Sequence, residues 1–366
     1  MSQSFNPSTA DAEALALLQQ IIATPRVSRE ETEAADVVQH FLESRGVEAR
    51  REANNVWAIA PGFDSARPTL LLCAHIDTVR PTAAWTRQPH APTLEGERLY
   101  GLGANDDGAS LVSLIQAFRH LSTRHQAYNL VLACTAEEEV SGVNGLSRLL
   151  PSLPHIDVAL VGEPTCMQPA IAERGLMVLD CTAHGRAGHA ARSEGVNAIY
   201  LAMRDIEWFR DYQFEHISTL LGPVKMTTTI IQAGTQHNVV PDACTFTVDV
   251  RTNEFYTNED IYNIVRACVA SDVQARSFRL SSSRIGADHP LVSSALALGA
   301  LPDGTPRAPF GSPTLSDQAL LSCPSLKMGP GDSARSHTAD EYILLSELRQ
   351  GIAEYIAMLD GLSLTC

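Results

Sequence analysis

The chain has 366 residues, 45% of them hydrophobic and 19% charged, which is the composition of a globular protein long enough for one large domain or two smaller ones. A formal net charge of −15 argues against a nucleic-acid or anionic-membrane partner. The eight cysteines are scattered without a CxxC pair, which suits buried reduced thiols in a cytoplasmic protein and disfavours a thiolate zinc site.

In chain order, the N-terminal segment has no basic region followed by an apolar core, so no signal peptide is expected. No apolar run approaches the roughly 20 residues of a membrane span. The pattern in "TADAEALALLQQIIA" predicts a helix with Thr9 or Asp11 near its cap. A second helix is predicted in "SREETEAADVVQHFLESRG", opened by a Ser28/Glu31 capping box and closed by Gly46. Strands follow in "NNVWAIAPG" and "TLLLCAHID", then a helix in "ASLVSLIQAFRHLSTR", then buried strands in "YNLVLACTA" and "DVALVGEP". Apolar strands separated by helices point to a mostly parallel sheet covered on both faces.

The middle of the chain changes character. Three longer, more polar strands are predicted in "GLMVLDCTAHGR", "GPVKMTTTIIQAG" and "ACTFTVDVRT", with a fourth in "QARSFRLSSS". Helices are predicted in "EGVNAIYLAMRDIEWFRDYQ" and "NEDIYNIVRACVASD", which completes the split βαβ order of a small α+β domain. The tail returns to helix, strand, helix. The expected organisation is an α/β catalytic domain over 1–175 and 284–366, interrupted by a lid over 176–283.

Chemistry gathers where the predicted strands end. His75 and Asp77 stand two positions apart at the end of "TLLLCAHID", on one face of a strand and at the edge where open α/β sheets hold ligands. A hydrogen-bonded histidine at a strand end would explain that pair alone. Yet Asp106 sits in the glycine-punctuated "YGLGANDDG", Glu137 to Glu139 follow a buried strand, Glu163 ends "ALVGEP", and His337 follows "SLKM". Three adjacent glutamates repel one another unless cations or protons relieve them. A two-metal site of histidines and carboxylates is the economical expectation.

The series H-x-D, G-x-G-x-x-D, EE, GEPT and GPG-x(5)-H-x-x-DEY resembles the M20 family of zinc metallohydrolases, from about residue 70 to the C-terminus, with the acetylornithine deacetylase branch nearest in "LVGEPT" and "GPGDSARSHTADEY". The resemblance implies two Zn2+ ions, with Co2+ or Mn2+ as alternatives. His75 and Glu163 would hold one, His337 and Glu139 the other, and Asp106 would bridge them. Asp77 would orient His75, and Glu138 would be the general base; a register one residue earlier in the glutamate run competes with that assignment. The resemblance also implies a cis peptide between Asp106 and Asp107. Where many members read Met-Lys-Gly-Gly after the bridging aspartate, this chain has Asp107, Gly108, Ala109 and Ser110, which leaves the substrate less defined.

In the lid, His189 of "GRAGHAAR" resembles a histidine that donates to the oxyanion, supplied by the partner subunit of a homodimer formed through the lid. Asn238 and Arg251 resemble residues that grip a substrate carboxylate, although a surface ion pair would equally account for Arg251. The expected activity is removal of an N-acyl group from a small amino acid. N-acetylornithine is the first substrate in view, in arginine biosynthesis, with N-acetylcitrulline and N-succinyl analogues beside it. A dipeptidase or aminopeptidase of the same type, or a metal-binding non-enzyme on this fold, are the alternatives.

Overall fold

The computed structural model describes residues 7–364. Cys366 and the first six residues of the segment read for a signal peptide lie outside them. The chain forms two compact units, one of residues 7–171, 284–310 and 316–364, the other of 172–283 and 311–315. No described helix is long and apolar enough to cross a membrane.

In the first unit, helix Pro7–Ala23 begins ahead of the expected caps and buries Ala10, Ala14, Leu17, Leu18, Ile21 and Ile22, the three-and-four spacing of one helical face. Six neighbouring strands of the nine-stranded central sheet run in the order Ala49–Glu52, Asn55–Ile59, Asn129–Thr135, Thr69–His75, Val158–Val161, Ser325–Lys327. The last four of these strands pair parallel with one another, and the first two form an antiparallel edge. This is the mostly parallel sheet expected of the apolar runs. Thr69–His75 and Asn129–Thr135 are buried along their whole length because both faces are covered. Helix Gly108–Leu121 lies against one face, while Leu71, Cys73, Val131 and Ala133 pack with Leu146 and Leu149 on the other.

Register aligns the chemistry. His75 pairs with Thr135, Cys73 with Val161, and Val161 with Lys327. The loops carrying Asp77, Glu137 to Glu139, Glu163 and His337 therefore leave the sheet from the same edge.

Two features depart from the sequence reading. The second helix spans Thr32–Glu43 with Glu31 at its N-cap and no side-chain capping bond. Ser28 is not a cap, because the helix begins four residues after it; its hydroxyl donates to the buried, charged Asp77 Oδ2 at 2.6 Å. A small antiparallel sheet of Thr93–Glu95, Arg98–Tyr100 and Tyr342–Leu344 was not expected, and it brings Glu341 beside Gly101.

The second unit is an antiparallel sheet in the order Lys225–Ala233, Ala243–Thr252, Gly175–His184, Asp272–Ala275. Helices Ala198–Asp211 and Asn258–Cys268 cover it; Met177, Leu179 and Cys181 from one strand meet Ala198, Ala202, Phe209 and Ile261 in its core. The fourth strand starts two residues before "QARSFRLSSS" and ends at Ala275, so only Gln274 and Ala275 of that stretch are in it.

Candidate metal centre

His75 is the last residue of its strand and is buried. Its Nδ1 lies 3.0 Å from the backbone carbonyl oxygen of Asp77, and its Nε2 lies 3.2 Å from Asp106 Oδ1. Glu163 Oε1 and Glu138 Oε2 stand 3.9 and 4.0 Å from the same Nε2. The other oxygen of Asp106, Oδ2, faces His337 Nε2 at 3.7 Å, and Glu139 Oε2 lies 2.9 Å from that nitrogen. One carboxylate thus offers its two oxygens to two different histidines. Two groups of donor atoms result, His75 with Asp106 and Glu139, and His75 with Glu138 and Glu163, each compact enough to surround one ion.

The three glutamates separate into three tasks. Glu137 turns inward, where its carboxylate accepts from Asn144 Nδ2 at 2.8 Å. A β-carbon on Gly142 would meet Glu137 Oε2 at 1.9 Å, so that loop closes on the Glu137 side chain. Glu138 faces His75 and Glu163, and Glu139 faces His337. Glu138 and Glu139 thus stand among the donor atoms, while Glu137 faces Asn144.

Asp77 holds the turn in place. Its carboxylate accepts the N–H groups of Glu138 at 3.0 Å and Glu139 at 3.2 Å, as well as the Ser28 hydroxyl. Glu137 and Ser141 flank the turn with φ of 54° and 46°, and His337 has φ of 60°. Non-glycine residues in this region are strained and persist where their surroundings over-determine them.

Asp106 is held from behind. The Glu341 carboxylate accepts the backbone N–H groups of Gly103 at 3.0 Å, Asn105 at 2.8 Å and Asp106 at 2.9 Å. Asn105, itself buried, clasps the backbone of Asp332, accepting from its N–H at 3.0 Å and donating to its carbonyl at 3.1 Å. The loop bearing Asp106 and the loop leading to His337 are thereby stitched together. The Asp106–Asp107 peptide is cis, as the resemblance implies.

The electrostatics favour added positive charge, as protons or as cations. Burial, followed by the charge of Asp106, pushes Glu163 well above the usual carboxylate range; burial also raises Glu138, with Asp317, Glu139 and Asp77 adding to it against the pull of His75. Burial opposes a charge on His75, but hydrogen bonds to Asp106 and Asp77 override it and raise the imidazole well above its ordinary value. The Glu139 contact lifts His337 to about 9. Carboxylates crowded to this degree, with histidines whose Nε2 atoms point among them, form the mixed N/O donor set that divalent ions such as zinc take.

Sequence reasoning gave Ser28 a capping role and Glu341 only a place in a motif, and it passed over Asn144 and Asp317. The last accepts from the Thr135 hydroxyl at 2.6 Å, and burial lifts it to about 6. Each acts through backbone or through another side chain, so no spacing rule announces it.

In the second unit, His189 and Asn238 come together: His189 pairs with Val239 on a short ribbon, and Ala190 N–H donates to the Asn238 carbonyl at 2.9 Å. The His189 ring is exposed and its Nδ1 accepts from Ala191 N–H. Arg251 stands at the other end of strand Ala243–Thr252, about 27 Å from Ala243 at 3.4 Å per residue. Its guanidinium forks onto Asp249 at 2.8 and 3.2 Å, the ion pair that the sequence reading kept open.

The sequence profile of Peptidase family M20/M25/M40 matches residues 71–360. Acetylornithine deacetylase of Proteus mirabilis is 27% identical over 89% of this chain and 91% of its own length. Succinyl-diaminopimelate desuccinylase of Caulobacter vibrioides is 26% identical over 96% of this chain and 97% of its own. Among solved structures, a dinuclear metal binding peptidase of Bacillus subtilis superposes with a TM-score of 0.72 at 17% identity, covering 96% of this chain and 98% of that one, which shows the shared fold.

Proposed function

The chain belongs to peptidase family M20/M25/M40 and is a metal-dependent amide hydrolase, and from that premise we propose that it is a dinuclear-zinc deacylase acting on the N-acyl group of a small amino acid. N-acetylornithine heads the substrates, with N-acetylcitrulline and N-succinyl analogues after it. The observation that carries the dinuclear reading is the split of Asp106, with one oxygen toward His75 and the other toward His337. His75 and Glu163 would hold one ion, His337 and Glu139 the second, and Asp106 both. The family resemblance of the deacetylase and desuccinylase supports the acyl-amino-acid substrate.

Two divalent ions held there would polarise the amide carbonyl and lower the pKa of the attacking water. The protein supplies the proton traffic. Glu138 takes a proton from the attacking water and returns it to the departing amine nitrogen. In the metal-free protein burial lifts the Glu138 carboxyl well above the ordinary carboxylate range. Asp77 fixes the Glu138–Glu139 turn through the two backbone N–H bonds, so base and ligand keep a set spacing.

His189 would donate to the carbonyl oxygen as charge develops on it. Asn238 or Arg251 would bind the substrate α-carboxylate. The length of strand between these two residues supports one of them, and not both from one chain, at any single carboxylate. We further propose that the second unit pairs with its copy in a homodimer, and that His189 serves the partner's site.

The test is amine release from N-acetyl, N-succinyl and N-formyl derivatives of ornithine, citrulline, lysine and methionine, set beside simple dipeptides. Turnover confined to dipeptides would refute the deacylase reading. Turnover without any added or bound divalent metal would refute the dinuclear one.

A further inference from the structure

We infer that Arg26 is a positioning residue for this centre: its buried guanidinium joins the loop of His75 and Asp77 to the loop of Asp106 and so sets the distance between their ligand atoms. The inference rests on the dinuclear reading above.

Arg26 lies between the first two helices and is 1% exposed. Its Nη1 donates to the carbonyl oxygen of Ile76, the residue between His75 and Asp77. Its Nη2 donates to the carbonyl oxygen of Gly103 at 2.7 Å, three residues before Asp106. The two acceptors belong to segments that share no strand ladder, so this fork is a direct cross-link between them.

The neighbouring backbone continues the same clasp. Thr78 N–H donates to the Arg26 carbonyl at 2.9 Å, and Ser28 N–H donates to the Thr78 carbonyl at 3.1 Å. Ser28 then reaches Asp77 Oδ2 with its hydroxyl. Residues 26–28 therefore run along residues 76–78 and grip the far side of the His75 turn.

Gly103 is shaped to receive the guanidinium. Its φ is +71°, and a β-carbon there would lie 2.3 Å from Arg26 Nη2. The charges that face Arg26 are those of Glu341, Asp77, Asp107 and Asp106, all on the two loops it joins or on the residue that braces one of them. Burying a guanidinium is costly, and an apolar side chain would fill the space at less expense. What an apolar chain cannot do is bond two carbonyls in a fixed fork, and a lysine ammonium, a single point charge, reaches two such acceptors poorly.

The experiment compares wild type with Arg26→Lys, Arg26→Gln and Arg26→Ala in the full chain. Affinity for zinc is measured by competition with a chromophoric chelator, site geometry by the visible spectrum of the cobalt(II) form, and folding by circular dichroism and thermal unfolding. Outer contacts of this kind typically carry a 10- to 100-fold change in metal affinity, and a loss of about that size is expected in all three variants that fold. The cobalt spectrum should shift as well, and kcat should fall more than KM rises. Millimolar methylguanidinium should restore part of the affinity to Arg26→Ala.

Unchanged affinity and an unchanged cobalt spectrum in a folded variant would overturn the inference. Failure of all three to fold would also overturn it, since Arg26 would then hold the fold and not the ligand spacing. If wild type itself binds no zinc or cobalt, the dinuclear reading falls first, and the two failures remain distinct.

Discussion

Replacing Glu341 with glutamine changes one oxygen to an amide nitrogen and leaves the shape of the side chain alone. In the native protein Oε1 accepts from Asn105 and Asp106, and Oε2 accepts from Gly103. The best the glutamine can do is keep its carbonyl at the first position and turn its NH2 toward the Gly103 N–H, donor against donor. One hydrogen bond to a charged acceptor is lost, at about 1.5–3 kcal/mol. The other two become neutral and lose about half their strength. Against this stands a gain, because burial and the charge of Asp106 already push the Glu341 carboxyl up to about 7, and the amide carries no charge to desolvate. The net expectation is a loss of about 2–4 kcal/mol in stability. Because the one freed and two weakened N–H groups belong to the Asp106 loop, zinc affinity should fall with it, by about 10- to 100-fold. Denaturant unfolding of the metal-free protein gives the first number and chelator competition gives the second. A Glu341→Gln protein matching wild type in both would refute the account of how Asp106 is held; a stability loss with intact metal affinity would confine Glu341 to the fold.

Four further outcomes are expected. Glu138→Gln should abolish turnover with metal content near wild type, whereas Glu139→Gln should lower metal content; exchanged phenotypes would move the register of the run by one residue. Amidating the substrate α-carboxylate should cost activity severely and Arg251→Ala should mimic that loss, and equal rates on acid and amide would remove the carboxylate grip. In the metal-free protein Asp107 and Glu341 are pushed up to about 7 and Asp317 to about 6, burial being the first cause of each. The folded state therefore holds protons that the unfolded chain gives up above about pH 4, so thermal stability should fall as pH rises from 5 to 8, and a rise over that span would contradict the burial of these groups. Mixing His189→Ala with Glu138→Gln under subunit exchange should restore about a quarter of wild-type activity, half of the dimers being hybrids with one working site in two, while none would return if His189 acts within its own chain.

The parallel strands were legible because a strand covered on both faces must be apolar throughout. The runs "TLLLCA" and "NLVLAC" therefore stand out against the helices between them. The ligand candidates were legible for a related reason: a charged residue directly after such a run has no other use for that position than the sheet edge. What stayed hidden were interactions without a period. Thr93–Glu95, Arg98–Tyr100 and Tyr342–Leu344 are three residues each, too short for alternation to show, yet they deliver Glu341 to the Asp106 loop. Ser28 and Glu31 have the spacing of a capping box, and only the tertiary arrangement reveals that Asp77 claims the serine. Arg26 carries no signal at all, since an arginine after a proline between helices reads as surface.

Asp77 contacts more than the histidine it follows. The resemblance makes it the partner that orients His75 through its carboxylate. In the structure the imidazole Nδ1 is nearer the Asp77 backbone carbonyl, at 3.0 Å, than the Asp77 carboxylate, at 3.6 Å. A proton on Nδ1 directed at that carbonyl would leave Nε2, which faces Asp106, as the nitrogen available to a metal. The carboxylate is thereby free to accept three other donors, the Ser28 hydroxyl and the N–H groups of Glu138 and Glu139. Those two amides open a single 3₁₀ turn whose first donors have no partner within the turn itself. Asp77 thus caps the glutamate turn from the loop that follows strand Thr69–His75. The Asp77 carboxylate stays ionised in spite of burial: His75, the Ser28 hydroxyl and the Glu138 amide outweigh the upward push of burial, and its pKa lies below the ordinary value.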